Sequence, residues 1–345
     1  MEPTGRPRAS KASVALAMGA LYFFWGSTYL GIKVAVEGYE PFFMAGVRNL
    51  IAGILIYTFV RARGTPKPSL HDWKAATIVG GLLLLGGNGL ETYASRYAPS
   101  GLVSVIVATM PLWMVLLDRP RDADGKRSPY RPVVLAGVLV GLCGVILLIA
   151  PKIAAALHAT ADGVSTMEAV AMGAALVSPF SWAVGSIISK RTSGASTVNS
   201  PTVSPWRNTG MQLICGGVLL GVASVAMGEP GRMDSGKMFA SPWPTLSIAY
   251  LVVFGSLVGY SAYIWLLGVI PAAQVATYAY VNPIVALALG WALGGEGLSG
   301  RALLAATIII GSVAVIVTAR ASPAPAPPGD EARPDNQGDG TGRRR

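Results

Sequence analysis

A chain of 345 residues that is 52% hydrophobic and only 13% charged falls far short of the roughly 25% charge of ordinary soluble domains. With a mean hydropathy of +0.52, that composition excludes a water-soluble globule. The formal charge of +10 does not point to nucleic acid, because the basic residues sit in short segments between apolar blocks, as in membrane proteins whose cytoplasmic loops retain Lys and Arg.

Apolar blocks such as LIAGILIYTFV and LAGVLVGLCGVILLIA recur along the chain, and a helix needs about 20 such residues to cross a bilayer's hydrocarbon. The pattern predicts an all-α polytopic membrane protein with spans at 13–36, 41–60, 73–95, 101–118, 132–151, 166–190, 205–227, 243–268, 272–293 and 302–320. Residues 1–12 form a basic lead, and the span after it is longer than a signal peptide's core, so it is expected to be retained. The fourth span stops at Asp118 and calls for a thinned bilayer or a short, broken helix. Residues 152–165 read as an external linker. The segment 321–345, rich in Pro, Gly and charge, is expected to be disordered.

With ten spans both termini share a side. That side holds Arg61, Arg63, Lys67 and Lys74, the basic loop from Arg119 to Arg131, and Lys190, Arg191 and Arg207, besides the tails. The opposite loops hold only Arg96, Lys152, Arg232, Lys237 and Arg301. The bias predicts cytoplasmic termini.

The chain also repeats itself. Trp25 and Lys33 match Trp182 and Lys190 at an offset of 157 residues. Trp73, Gly89 and Tyr93 match Trp243, Gly259 and Tyr263 at 170. Pro99 and Pro111 match Pro271 and Pro283 at 172, with Asp124-Gly125 falling on Glu296-Gly297. Five spans per repeat, an odd number, make the halves 13–151 and 166–320 insert upside down relative to each other, an arrangement transporters use for alternating access. The order of LYFFWGSTYLGIKVAVE, PFFMAGVRNLIAGILI, GNG, APSG, SWAVGS, TYAYVNPIVALALG and GGEGLS resembles EamA-type members of the drug/metabolite transporter superfamily across residues 13 to about 320. The resemblance implies ten transmembrane helices as two inverted five-helix repeats, and export of small metabolites or drugs through a central cavity.

Within LLLLGGNGLETY the third span carries Asn88 and Glu91. On an α-helix Gly87, Asn88, Glu91 and Ser95 share a face, with Leu83, Leu84 and Leu90 turned largely toward lipid. An ionisable residue at membrane depth is a candidate for function. Its candidate partners are Lys33 and Arg48, the latter about 10 Å below the outer surface. Arg48 cannot shed its charge, so it needs an anion, backbone carbonyls or a wet cavity. Two readings stand: Arg48 pins the first three helices through Glu91, or it receives a substrate carboxylate while Glu91 exchanges the coupling proton.

TYAYVNP supplies Tyr278, Asn282 and Pro283, and Pro111 is the repeat-related proline. A proline removes one helical hydrogen bond, and paired helix breaks mark a transporter's midplane site, although a simple kink fits as well. Trp25 and Trp182 lie near span centres, away from the interfaces where Trp concentrates. With Tyr93, Tyr263 and Trp113 they are candidates for substrate contact, packing being the alternative.

No GxxxxGK[ST] loop occurs, and His71 and His158 lie in loops on opposite sides, so no ATP-driven or proteolytic chemistry is expected. Cys143 and Cys215 offer neither a disulfide framework nor a metal site. The expected protein is not an enzyme and needs no cofactor. It is a secondary active transporter of a bacterial cytoplasmic membrane, moving a small, amphipathic or zwitterionic solute (a metabolite, amino acid or drug) outward against inward proton flow. The alternatives are an uncoupled facilitator of sugar-phosphate or nucleotide-sugar type, and a receptor or assembly subunit that moves nothing. Expected partners are the solute and the bilayer, with no nucleic acid. GVLVG at 137–141 is a small-residue patch suited either to a homodimer contact or to packing within the chain.

Overall fold

A computed structural model describes residues 10–117, 132–158, 166–199, 205–270, 275 and 278–321. Asp118, Asp124, Pro271, and the expectations for 1–9, 159–165 and 322–345 lie outside the described residues. Regular structure within them is helical: α1 (Lys11–Gly38), α2 (Pro41–Ala62), α3 (Leu70–Gly80, Gly81–Gly89 and Leu90–Tyr97 in succession), α4 (Ser100–Val107, then Met110–Leu117), α5 (Pro132–His158) and α6 (Thr166–Asn199). There follow α7 (Pro205–Ala226), two short helical turns, α8 (Trp243–Tyr250, Leu251–Tyr260 and Ser261–Val269), α9 (Tyr278–Gly294) and α10 (Gly300–Ala321).

Five helices among the described residues are long and apolar enough to cross a membrane: Lys11–Gly38, Pro41–Ala62, Val170–Ser189, Trp206–Ala226 and Trp243–Tyr263. Shorter apolar helices run over Ser100–Met114, Pro132–Gly144, Val281–Gly294 and Gly300–Ile316. Outward faces carry stripes such as Ile51, Ile54, Leu55 and Phe59 on α2, and Leu135, Leu139, Leu142 and Ile146 on α5. In water such stripes would aggregate; hydrocarbon is their natural solvent.

Local chemistry sets the helix ends. Ser69 accepts from the Asp72 amide while Asp72 accepts from the Ser69 amide, a reciprocal cap that starts α3. Two other starts are capped from far along the chain. Glu229 accepts from the amides of Phe42 and Phe43, at 3.1 and 2.8 Å, at the head of α2. Glu296 accepts from Ser100 and Gly101, at 2.7 and 3.2 Å, at the head of α4. A carboxylate there satisfies orphan amides and meets the positive end of the helix dipole. α4 breaks at Ala108 and Thr109, where Pro111 has no amide hydrogen to offer the carbonyl of Val107. α9 instead continues through Pro283, so the two prolines do not make the symmetric breaks their spacing suggested: losing one bond does not end a helix held by its neighbours.

Glycines close two long seams. α2 lies on α7 so tightly that a Cβ on Gly53 would come within 2.7 Å of the Ile214 nitrogen, and one on Gly210 within 2.9 Å of the Tyr57 nitrogen. α5 meets α10 through Gly137 against Ile316, Gly141 against Ser312 and Gly144 against Ile309. Gly137 and Gly141 of the GVLVG patch thus pack within the chain, while Leu139 and Val140 stay exposed.

Three helices contain π-helical stretches, Leu21–Trp25 in α1, Gly81–Gly89 in α3 and Leu251–Tyr260 in α8. Leu251 follows Gly81 by the same 170 residues that relate Trp73 to Trp243. The wider turn of a π-helix corrects one expectation. Leu83 and Leu84 do not face lipid but are 4% and 2% exposed, because face assignment at α-helical spacing fails through this stretch.

Gly53→Ala should force α2 from α7 and lower stability by about 1–3 kcal/mol, seen as a reduced melting temperature in detergent. Gly221→Ala, on the same pair of helices but with open space around it, should hold or raise that temperature.

Candidate functional site

α1, α2, α3, α4, α6, α8 and α9 surround a partly open cavity. Part of the lining is polar: Arg48 and Asn49 come from α2, Asn88 and Glu91 from α3, Ser104 from α4 and Ser256 from α8. Part is aromatic, with Trp25 and Tyr29 of α1, Trp182 of α6, Tyr260 of α8 and Tyr278 of α9. Asn282 and Pro283 of α9 complete the lining beside Met110.

Among the polar residues the Arg48 Nε donates to Ser256 Oγ at 3.0 Å, while its Nη1 is buried without a hydrogen-bond partner. Such an unmet charged donor costs about 1–3 kcal/mol or more. Gly255 makes room for the guanidinium, since a Cβ there would lie 2.8 Å from Nη2. Asn49 donates to Asn88 Oδ1 at 3.3 Å and to the Ala45 carbonyl at 2.9 Å. Glu91 is 8% exposed, and among the described residues its carboxylate makes no hydrogen bond or ion pair. Glu91 and Arg48 line the same cavity but make no ion pair. Lys33 does not reach Glu91 either; its Nζ donates to the Ala98 carbonyl at 3.3 Å.

The aromatic residues form a connected cluster. Trp25 meets Tyr278 edge-on at 5.0 Å, Tyr263 at 5.1 Å and Trp182 edge-on at 6.2 Å. Its indole N–H donates to the Gly255 carbonyl at 3.0 Å. Tyr260 donates to Gln212 Oε1 at 3.3 Å. The Asn282 amide bridges two helices by donating to the carbonyls of Tyr278 and Tyr22, both at 3.2 Å.

The structure therefore gathers Trp25, Arg48, Asn88, Glu91, Trp182, Tyr278, Asn282 and Pro283 around one space. Tyr93 and Trp113 stand apart from that lining. Tyr93 stacks on Phe42 at 5.9 Å and donates to Met167 Sδ, and Trp113 packs edge-on against Phe180 at 5.3 Å. Pro111 follows the break in α4. Asn49, Tyr29, Ser256 and Tyr260 line the cavity without having been singled out from the sequence. Asn49 adjoins Arg48 and Tyr29 lies one turn beyond Trp25, so both could have been read; Ser256 and Tyr260 depend on the π-helical turn.

A set of apolar helices around a polar-and-aromatic hollow is the architecture of a membrane transporter. The EamA-like transporter family model matches twice, over residues 12–150 and 169–318, and the chain belongs to that family. It is 34% identical over 305 residues to the inner membrane transporter YedA of Escherichia coli K12, covering 87% of this chain and 89% of that one. The transporter YvbV of Bacillus subtilis is 26% identical over 314 residues, 89% and 92% of the two chains. A probable amino-acid metabolite efflux pump of E. coli K12 is 26% identical over 303 residues, 83% and 88%. One crystal structure shares the fold with a TM-score of 0.59 at 20% identity, over 91% of this chain and 100% of its own.

Asn282→Ala removes the one bridge from α9 to the Tyr22 carbonyl of α1, and should cost about 1–3 kcal/mol. Thermal unfolding in detergent would show this as a drop of several degrees; an unchanged melting temperature would mean the bridge carries no load.

Proposed function

We propose that this chain is a secondary active exporter of the bacterial inner membrane, with ten transmembrane helices arranged as inverted repeats at 13–151 and 166–320 and with both termini in the cytoplasm. Its cargo is a small metabolite, amino acid or drug with both charged and apolar parts. Glu91 carries the coupling proton, Arg48 and Asn282 orient the polar end of the solute, and the Trp25, Trp182 and Tyr278 rings hold its apolar body. The observation that carries this reading is the cavity's composition: a carboxylate and a guanidinium line one space without pairing, together with a cluster of aromatic rings. An unpaired carboxylate at membrane depth is the group best placed to gain and lose a proton on each cycle. The double family match supports a duplicated chain, and the efflux pump among its relatives supports the direction and the class of solute.

A stabilisation screen of the purified protein against amino acids, sugars and cationic drugs identifies the solute, because a ligand of the folded form raises the melting temperature. In proteoliposomes Glu91→Gln should then abolish accumulation driven by a pH gradient while leaving exchange at equal concentrations intact. Gradient-driven accumulation at the wild-type rate would remove Glu91 from the coupling. Flux by the wild type that ignores the collapse of the gradient would favour the uncoupled facilitator.

A further inference from the structure

Trp25 and Trp182 are repeat-related, yet they are not equivalently bound. Each crosses to the other half of the chain and lies over a glycine in a π-helical stretch. A Cβ on Gly259 in α8 would sit 2.4 Å from Trp25 Nε1, and one on Gly87 in α3 would sit 2.7 Å from Trp182 Cε3. The helix of each tryptophan is stitched to that stretch as well: Ser181 Oγ donates to the Leu82 carbonyl at 2.8 Å, and Trp25 Nε1 to the Gly255 carbonyl at 3.0 Å. The match is inexact already at the rings, since Gly259 less the 170-residue offset is Gly89 rather than Gly87, and Trp182 meets its glycine by the Cε3 edge where Trp25 presents Nε1. The hydrogen bonds differ as well. Trp182 Nε1 is buried and has no acceptor among the described residues. The carbonyl that should receive it is found by the repeat itself, since Gly255 less the 170-residue offset is Leu85.

A buried indole N–H left unbonded is rare enough to need a reason. Contact with a transported solute does not supply one in this state, because the nitrogen has no surface open to the cavity. Inverted repeats supply another. When two copies of one pattern face each other upside down, an asymmetry present in one access state is exchanged between the copies in the other. We propose that Trp25 and Trp182 form a reciprocal latch: Trp25 is docked on Gly255 in the state seen here, and in the opposite access state Trp182 docks on the Leu85 carbonyl while Trp25 lets go. The tryptophans thereby act as positioning residues of the transport cycle, holding each end state by one hydrogen bond. This rests on the inverted-repeat transporter reading.

The test uses full-length protein freed of Cys143 and Cys215 and given Ala108→Cys, a cavity position. The readout is the ratio of labelling rates by an impermeant maleimide from the two sides of the membrane. Removing one N–H while keeping a ring, with Trp25→Phe, should shift that ratio about five-fold toward the opposite state, the effect of one intramolecular hydrogen bond. Trp182→Phe should shift it about five-fold the other way. Replacing either indole by its sulfur isostere, which keeps the shape and loses only the N–H, repeats the comparison should a phenylalanine variant fold poorly. Shifts of the same sign, or no shift with two-sided labelling intact, would overturn the latch and leave the transporter reading standing. Labelling from one side only in every variant would overturn both.

Discussion

A carboxylate and a guanidinium at membrane depth cannot be left against hydrocarbon, and much of this architecture follows from housing Glu91 and Arg48. Neither is neutralised by the other. Arg48 is held by Ser256 and fitted against Gly255, and Glu91 faces the hollow with no partner among the described residues. A protein built only for stability would be expected to join them, since breaking or withholding a buried pair is costly. Keeping them apart on one cavity lining is what a binding site for a polar solute requires.

The packing divides into seams and cavity walls. The α2–α7 and α5–α10 seams bring backbone against backbone or side chain through Gly53, Gly210, Gly137 and Gly144, which leaves little room for sliding. The π-helical stretches lie in α1, α3 and α8, all of which line the cavity. The seams also bear the polar clasps. Arg207, 3% exposed at the start of α7, reaches Asp72 and the Pro66 carbonyl, each at 3.2 Å, and Glu229 caps α2 from beyond the end of α7. Rigid seams thus stand beside irregular helices that line the cavity.

Much of this was legible in the sequence. Several helix limits follow the apolar blocks, because Pro41, Ser69 and Gly64, the last at φ +86° just after α2, mark them; α5 and α6 instead run on to His158 and Asn199, past the expected ends at 151 and 190 and, for α5, into the expected linker. Four charged and amide members of the cavity, Arg48, Asn88, Glu91 and Asn282, were legible because they are conspicuous in apolar surroundings, whereas Asn49 was passed over beside Arg48. What escaped depends on geometry that a 3.6-residue period does not encode. Leu83 and Leu84 turn inward through a π-helical stretch, and Tyr93 carries the same compositional signal as Tyr278 but stacks on Phe42 instead. Glu229 and Glu296 each bind a helix start from the far half of the chain, a contact that no local pattern encodes.

The central claim is that the two halves lie upside down relative to each other, and one labelling experiment meets it directly. Lys67, after α2, and Met227, after α7, are exposed at the corresponding ends of repeat-related helices. With Cys143 and Cys215 replaced, Met227→Cys should react with an impermeant maleimide on intact cells, and Lys67→Cys only once the membrane is opened. Reaction of both from the same side would contradict the inverted arrangement.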